Sequence, residues 1–302
     1  MIKMLHISDS HGLNEASGEC YDIAMSEDFD ACIHTGDVVQ DVFEDPIPQE
    51  FPYKFLTTIG NHDDILRAGA DPSGYHWDVQ PTAQELYDKF IAKIENPIVK
   101  KNEGHSYYHA VIRDDLYLIC VNSCVVEGDP EYDDQIAWLE ELLGNCIEDD
   151  IKIIIACHFI QPMQYDNLVD CNFSNDYLFG TKKETSYPFD LNQITEDYTF
   201  VRNGYEVIAN AVDNGLKILF WIHGHCHADG IFIDDKNNLH ILITTANYVN
   251  LNEDLARTST AYTARFAANQ YDIDDAYNSL TIYRLGADSA SDGDFRRMLV
   301  ID

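Results

Sequence analysis

Residues 3–11, KMLHISDSH, begin with the short apolar run 3–7 and end in polar side chains. Similar runs recur along the chain, at 31–34, 55–59, 116–121, 151–157 and 217–222. Strands that are apolar almost throughout are typical of sheets covered on both faces, as in βαβ arrangements. The pattern therefore predicts strands enclosed by helices rather than a sheet with one face in water.

Helical patterns lie between these runs. Thr82 and Glu85 form the spacing of a capping box, and apolar residues at helical intervals follow it (Leu86, Tyr87, Phe90, Ile91 and Ile94). Further helices are predicted over 134–143 and 195–212, a hairpin over 230–244 and a late strand over 279–285. Alternating strands and helices with a strand-rich second half predict an α/β sandwich.

The 302 residues contain no fixed-period repeat and no Gly/Ser or Pro linker, so we predict one domain over 1–302. Residues 165–196 fit neither the helical nor the strand period. Loops of this length are often functional lids, although a plain surface insertion explains the pattern equally well. Residues 287–302 are interpreted as a C-terminal tail.

The charge balance restricts the partners of this protein. It has 19 Lys and Arg against 53 Asp and Glu, a formal net charge of −34. Such a surface repels polyanions, and binding to nucleic acid needs basic residues against the phosphates. The composition therefore argues against a nucleic-acid partner, while a small phosphate ester is compatible with it if cations in the site neutralise the phosphate.

The sequence predicts a cytoplasmic protein without a membrane partner. Its first residues lack the long apolar core of a signal peptide, and no run of 18 apolar residues occurs. The eight cysteines are scattered without a CxxC pair, which is typical of reduced thiols. The sequence makes no prediction of the oligomeric state.

The polar ends of the runs carry the chemistry. They are Asp9-Ser10-His11, Gly36-Asp37, Gly60-Asn61-His62-Asp63, His158 and Gly224-His225-Cys226-His227. Each cluster alone is weak evidence for a metal site, because a single histidine at a strand end is more often a structural residue than a metal ligand. Since the carboxyl ends of strands in an α/β sheet line one crevice, we expect the five clusters to converge.

Seven side chains in these clusters are candidate metal ligands: Asp9, His11, Asp37, Asn61, His158, His225 and His227. One metal ion takes four to six ligands, so seven convergent donors suit two ions. Nitrogen and oxygen donors without thiolate favour Mn, Fe or Zn. Two ions about 3.5–4 Å apart can clamp both the attacking and the leaving oxygen of an in-line displacement at phosphorus.

In this order, the five clusters resemble the signature of the calcineurin-like metallophosphoesterase superfamily, and they span residues 9–227. The resemblance implies a four-layer α/β/β/α sandwich of two mixed sheets flanked by helices, with the metals at the carboxyl ends of the strands. It also implies hydrolysis of a small phosphomonoester or phosphodiester by a hydroxide that bridges two metals.

The resemblance further implies a role for each residue. Asp9, His11 and His227 would hold one metal, Asp37 would bridge the two, and Asn61, His158 and His225 would complete the second. His62 would stabilise the phosphoryl oxygens or protonate the leaving group. Asp63 is the candidate to orient His62.

Departures from the signature indicate which branch of the superfamily the chain resembles. Gln40 stands where many members carry a second aspartate that supports the catalytic histidine. Residues 38–41, VVQD, and Asp63 differ from the protein Ser/Thr phosphatases, so the chain looks closer to the bacterial phosphodiesterase-like branch. Two alternatives stay open. One is a metal-binding or scaffold protein of this fold without turnover, and the other is a nuclease of the same fold. The net charge of −34 argues against the nuclease.

Overall fold

The computed structural model describes residues 1–12, 15–39, 47, 55–64, 81–159, 199–224, 230–233, 238–242, 267–286 and 295–300. Within these ranges the chain forms two mixed β-sheets and four α-helices.

The first sheet has six strands. They are β1 (Ile2–Ile7), β2 (Ala31–His34), β3 (Phe55–Thr57), β11 (Ala267–Ile273), β12 (Ser279–Gly286) and β13 (Phe295–Val300). Their order is β13-β12-β11-β1-β2-β3. The pairs β1–β2 and β2–β3 are parallel, and β11, β12 and β13 add on antiparallel. The parallel half therefore brings the ends of β1, β2 and β3 to one edge.

The second sheet has seven strands. They are β4 (Val99–Lys101), β5 (Tyr108–Arg113), β6 (Leu116–Cys120), β7 (Lys152–Ala156), β8 (Lys217–His223), β9 (Gly230–Ile233) and β10 (Leu239–Leu242). Their order is β4-β5-β6-β7-β8-β10-β9. Strands β6, β7, β8 and β10 are parallel to one another, and the strands at both margins are antiparallel.

Helices cover the outer faces of the two sheets. They are α1 (Glu15–Ser26), α2 (Ala83–Leu86), which continues into a π-helical turn at Tyr87–Ile91, α3 (Pro130–Glu148) and α4 (Thr199–Asp213). Buried residues of α1 pack with the first sheet, and those of α3 and α4 pack with the second. The predicted class, two mixed sheets flanked by helices, is confirmed.

Alternation along the central strands explains their apolar composition. In β7, Ile154 and Ala156 belong to the core between the sheets, whereas Ile153 and Ile155 pack against the helices. Since successive side chains point to opposite faces, a strand buried on both faces is apolar throughout. Between the sheets, the ring of Phe220 on β8 lies 5.4 Å from that of Tyr271 on β11.

Most predicted elements agree with the structure to within a few residues. The helix expected over 134–143 is longer and spans Pro130–Glu148. A proline is compatible with the first helical turn because its fixed φ angle is already helical, and the N–H that it lacks has no partner there. Part of the expected tail is ordered as β13, Phe295–Val300, paired with β12. Residues 165–196 lie outside the described residues.

The six described cysteines, Cys20, Cys32, Cys120, Cys124, Cys146 and Cys157, are buried thiols. This agrees with the prediction of reduced thiols made from their spacing. Among the residues described, no helix is both long enough and apolar enough to span a bilayer.

The capping box at Thr82 is confirmed and offers a test of local stability. The Thr82 hydroxyl accepts a hydrogen bond from the Glu85 amide at 3.2 Å, and the Glu85 carboxylate accepts one from the Thr82 amide at 2.7 Å. We expect Thr82→Ala to lower the free energy of unfolding by about 1 kcal/mol in urea denaturation, since it removes the cap. Thr82→Ser keeps the hydroxyl and is the matched control. An unchanged midpoint for Thr82→Ala would contradict the assignment.

Candidate metal centre

The ends of strands from both sheets meet at one place. The carbonyl oxygen of Thr35, directly after β2 in the first sheet, accepts a hydrogen bond from Nδ1 of His158 at 2.7 Å. His158 lies two residues after the end of β7 in the second sheet. Nε2 of the same ring lies 2.9 Å from Oδ1 of Asn61, which follows β3. The predicted convergence is therefore observed for the clusters at 9–11, 36–37, 60–63 and 158.

Asp37 lies at the centre of this meeting point. Its Oδ2 lies 3.3 Å from Nε2 of His158 and 3.7 Å from Nε2 of His11. Its Oδ1 accepts a hydrogen bond from the backbone amide of His62 at 2.8 Å. Asp37 is only 1% exposed, and among the described residues its Oδ2 accepts no hydrogen bond.

Two groups of possible ligands share the Asp37 carboxylate. One consists of His11, Asp37 and His62, and the other of Asp9, Asp37 and His158, with the ligand atoms of each group within 4.8 Å of one another. A carboxylate common to two such groups has the placement of a bridging ligand. The grouping differs from the one implied by the resemblance, because Asp9 lies with His158 and His62 lies with His11.

The backbone of this region adopts an unusual conformation. Asp9, His11 and Asp37 have φ values of +54°, +46° and +56°, in the left-handed region. The amides of Asp9 and His11 donate to the carbonyl oxygens of Gly36 and Asp37 at 3.0 and 2.9 Å, which ties the loop after β1 to the loop after β2. Left-handed residues other than glycine cost about 1–3 kcal/mol each and cluster at functional sites.

Glycines let the candidate ligands approach the backbone. A Cβ atom on Gly60 would lie 2.2 Å from both the amide nitrogen and Oδ1 of Asp37. One on Gly224 would lie 1.9 Å from the Ser8 hydroxyl and 2.6 Å from Oδ2 of Asp9. The glycines that open the third and fifth sequence clusters are therefore required by close packing.

The charges of Asp37 and His158 stabilise each other. Burial alone raises the pKa of Asp37, but the neighbouring imidazoles of His158, His62 and His11 outweigh it and hold that pKa well below its usual range. Burial lowers the pKa of His158, yet the carboxylates of Asp37 and Asp9 and the Thr35 carbonyl raise it above its usual value. A metal ion held by both side chains would take the place of the His158 proton.

Solved structures with a fold similar to that of this chain include a dimetal phosphatase from Danio rerio. The two chains are 9% identical and superpose with a TM-score of 0.56, over 100% of this chain and 99% of that one. This chain has the calcineurin-like metallophosphoesterase fold. The fold predicted from the five clusters is thereby confirmed.

Two mutant structures of Vps29 from Entamoeba histolytica also match over 100% of both chains. Their TM-scores are 0.35 and 0.36, at 9% and 10% sequence identity. Neither a protein-family profile nor a curated relative matches the sequence.

Within the metallophosphoesterase fold, the described residues fit metal ions. The donor set is imidazole, carboxylate and amide, without thiolate, and suits Mn, Fe or Zn. Oδ2 of Asp37 faces two imidazoles without accepting a hydrogen bond from a described residue, which leaves it able to bind a cation. The bond from His158 Nδ1 to the Thr35 carbonyl orients that ring and leaves its Nε2 facing Asp37, as metal-binding histidines are commonly oriented.

His225 and His227, which the resemblance assigned to the two metals, lie outside the described residues. Gly224, directly before them, packs against Ser8 and Asp9.

The structure corrects the expected role of Asp63. Its two carboxylate oxygens accept hydrogen bonds from the amides of Val39 and Gly60, both at 3.0 Å, so Asp63 ties the loop after β2 to the loop after β3 rather than orienting the His62 ring. Burial and the charge of Asp37 raise the pKa of Asp63 to about 6. The physical reason is that residues 61–64 form a turn closed by amide bonds to the Gly60 carbonyl, not an extended segment.

His62 nevertheless diverges from Asn61 within that turn. Asn61 contacts His158, whereas the His62 ring lies edge-on to His11 with their centroids 4.6 Å apart. His62 and His11 are partly exposed, whereas Asp9, Asp37, Asn61 and His158 are buried. His62 therefore lies at the partly exposed side of the centre, next to His11.

Sequence reasoning missed two supporting residues, Thr35 and Ser10. Thr35 orients His158, and its hydroxyl lies 2.9 Å from Nε2 of the buried His6. Ser10 lies 3.0 Å from Nε2 of His34. The only signal for either is adjacency to the Gly-Asp and Asp-x-His clusters. Both His6 and His34 are buried and hydrogen-bonded.

His34 gives the protein an acid sensitivity with a definite sign. Burial lowers its pKa from 6.5 to about 3, so the folded protein holds it neutral while the unfolded chain protonates it. Stability present above pH 6.5 is therefore lost as the pH falls toward 3. Between pH 6.5 and 4 the loss from this residue is about 3 kcal/mol.

We expect His34→Gln to reduce that loss, measured as the free energy of urea unfolding at each pH. The glutamine amide can still reach Ser10 but does not titrate. Thr82→Ser, at an exposed helix cap without a titratable group, is the control and should keep the wild-type profile. A His34→Gln profile parallel to that of the wild type would contradict the assignment.

Proposed function

We propose that this protein is a metal-dependent phosphoesterase that hydrolyses a small phosphomonoester or phosphodiester. The observation that carries the proposal is the buried carboxylate of Asp37, which is shared by two groups of candidate ligands. In-line displacement at phosphorus needs charge neutralised on both sides of the transferred group, and two adjacent cation sites meet that need.

Each residue has a role in this proposal. Asp37 bridges the two sites; Asp9, His11, Asn61, His158, His225 and His227 supply the remaining ligands. The ions, when bound, polarise the phosphate and activate the attacking water. The backbone amide of His62 holds Oδ1 of Asp37 in place, and its partly exposed ring protonates the leaving group or stabilises a phosphoryl oxygen.

The charge of the chain supports a small substrate. At −34 the surface repels an extended polyanion, whereas a single phosphate group can be neutralised inside the centre by the ions themselves. The proposal also places the protein in the cytoplasm, where buried thiols such as those of Cys120 and Cys157 persist in the reduced form.

Hydrolysis of two chromogenic esters tests the proposal. The protein is stripped of metal, reconstituted with Mn²⁺, Fe²⁺ or Zn²⁺ in turn, and assayed with bis-p-nitrophenyl phosphate and p-nitrophenyl phosphate. We expect turnover of at least one ester that disappears with chelator and returns with added metal. A preference for the diester identifies a phosphodiesterase, and a preference for the monoester identifies a phosphatase.

Metal titration separates this function from its alternatives. Two bound ions per chain with no turnover of either ester, or of a panel of small phosphate esters, would favour the scaffold interpretation. Turnover confined to oligonucleotides would favour a nuclease. Fewer than two ions per chain would contradict the dinuclear proposal.

A further inference from the structure

A short turn after β6, residues 122–124, lies between two of the segments that carry candidate ligands. The hydroxyl of Ser123 accepts a hydrogen bond from the amide of Phe159, the residue after His158, at 3.0 Å. The thiol of Cys124 contacts the carbonyl oxygen of Ile59, two residues before Asn61, at 3.6 Å. One turn therefore contacts both the segment of His158 and the segment of Asn61.

Helix α3 fixes the shape of this turn through Gln135. The amide of Asn122 donates to Oε1 of Gln135 at 2.7 Å, and Nε2 of Gln135 donates to the carbonyl oxygen of Asn122 at 2.9 Å. The Gln135 side chain thus forms hydrogen bonds with both the N–H and the C=O of Asn122, as a neighbouring β-strand would. Oδ1 of Asn122 then accepts from the Cys124 amide at 2.9 Å, which closes the turn.

Buried side chains complete the support. Nδ2 of Asn122 donates to the Ser106 hydroxyl at 2.8 Å, and this hydroxyl donates to Glu131 of α3 at 2.6 Å. The Ser106 amide donates to the other oxygen of Glu131 at 2.5 Å. Ser106, Asn122, Glu131 and Gln135 are each at most 5% exposed. A buried polar network in which every member is bonded makes its region rigid.

We propose that residues 122–124 are a brace that fixes the spacing between Asn61 and His158, with α3 as its anchor. The inference rests on the proposed function, since it assigns these residues to positioning two ligands of one metal. Mutation of residues that support metal ligands commonly lowers metal affinity by about 10–100-fold, because these residues hold the ligands in the geometry that the ion needs.

The brace makes a selective prediction. His158 belongs to the group of Asp9 and Asp37, and not to the group of His11, Asp37 and His62. Loosening the brace should therefore weaken the binding of one ion more than that of the other. A purely structural role for the turn would weaken both sites equally or neither.

Calorimetric titration of the full chain with Mn²⁺ measures this. The variants are Ser123→Ala, which removes the acceptor for the Phe159 amide, and Gln135→Met, which removes both bonds to Asn122 with little change in volume. Ser26→Ala, at the exposed end of α1, is the matched serine control. Circular dichroism and thermal unfolding show whether each variant is folded. If one of the two brace variants fails to fold, the other still tests the proposal.

We expect two ions per wild-type chain, and in a folded brace variant a loss of about 10–100-fold in affinity for one of them. Wild-type affinity for both ions, or an equal loss at both, overturns the brace. Fewer than two ions in the wild-type protein would contradict the proposed function itself. That result is distinguishable from failure of the brace alone, in which the wild type binds two ions.

Discussion

Asp37→Asn is expected to reduce metal-dependent hydrolysis by about a thousandfold, or about 4 kcal/mol of transition-state stabilisation. The Asp37 carboxylate is common to both ligand groups, so one substitution weakens both sites. Asparagine has nearly the same shape but carries no charge, and its amide nitrogen cannot bind a cation. The measurement is kcat/KM for the ester that the wild type hydrolyses best, together with the number of ions bound per chain.

The control for Asp37→Asn is Asp133→Asn, which removes an exposed carboxylate on α3. It changes the net charge by the same amount without touching the centre, so it should keep wild-type activity. If the Asp37→Asn variant binds two ions and hydrolyses the ester at the wild-type rate, the bridging role of Asp37 is refuted. Thermal unfolding of the variant shows whether the loss arises in the centre or in the fold.

Gly60→Ala is the second substitution with a large expected effect. The added Cβ would lie 2.2 Å from the amide nitrogen and from Oδ1 of Asp37, and the amide cannot move away as a flexible side-chain end could. The loop after β2 or the loop after β3 must shift, at about 1–3 kcal/mol of stability. Because that shift displaces Asp37 or Asn61, we expect metal binding and turnover to fall nearly as far as in Asp37→Asn.

Gly144→Ala is the matched glycine control. Gly144 is exposed on α3, and a Cβ there would contact nothing within 4 Å. Alanine is favoured over glycine inside a helix by about 0.5–1 kcal/mol, so this variant should be slightly more stable and equally active. Gly60→Ala with unchanged metal affinity would show that the loops accommodate the methyl group without moving the ligands.

The strands that position the centre were predictable because their burial on both faces is visible as uninterrupted apolar runs. Residues 31–34 agree with β2 to the residue, and β8 extends the predicted 217–222 by one. Strand β11, Ala267–Ile273, was missed because polar residues interrupt it. Helix α1, Glu15–Ser26, was missed because its apolar residues do not form a strong stripe along one face and a glycine lies inside it.

The candidate ligands were predictable for a different reason. Each follows a buried strand, and parallel strands end at one edge, so topology alone brings Asp9, Asp37 and Asn61 together. The network of Ser106, Asn122, Glu131 and Gln135 was not predictable. Its members come from separate elements, have no characteristic spacing and become neighbours only when α3 packs on the second sheet.

The candidate centre draws Asp9, Asp37 and Asn61 from the first sheet and His158 from the second. Neither sheet could therefore be excised and engineered as a metal-binding module of its own. Ligand geometry also depends on how closely the two sheets dock, which the packing of Phe220 against Tyr271 helps to set. Under the proposed function, residues of the apolar interior would thereby become determinants of turnover, and repacking them would adjust the centre without altering a single ligand.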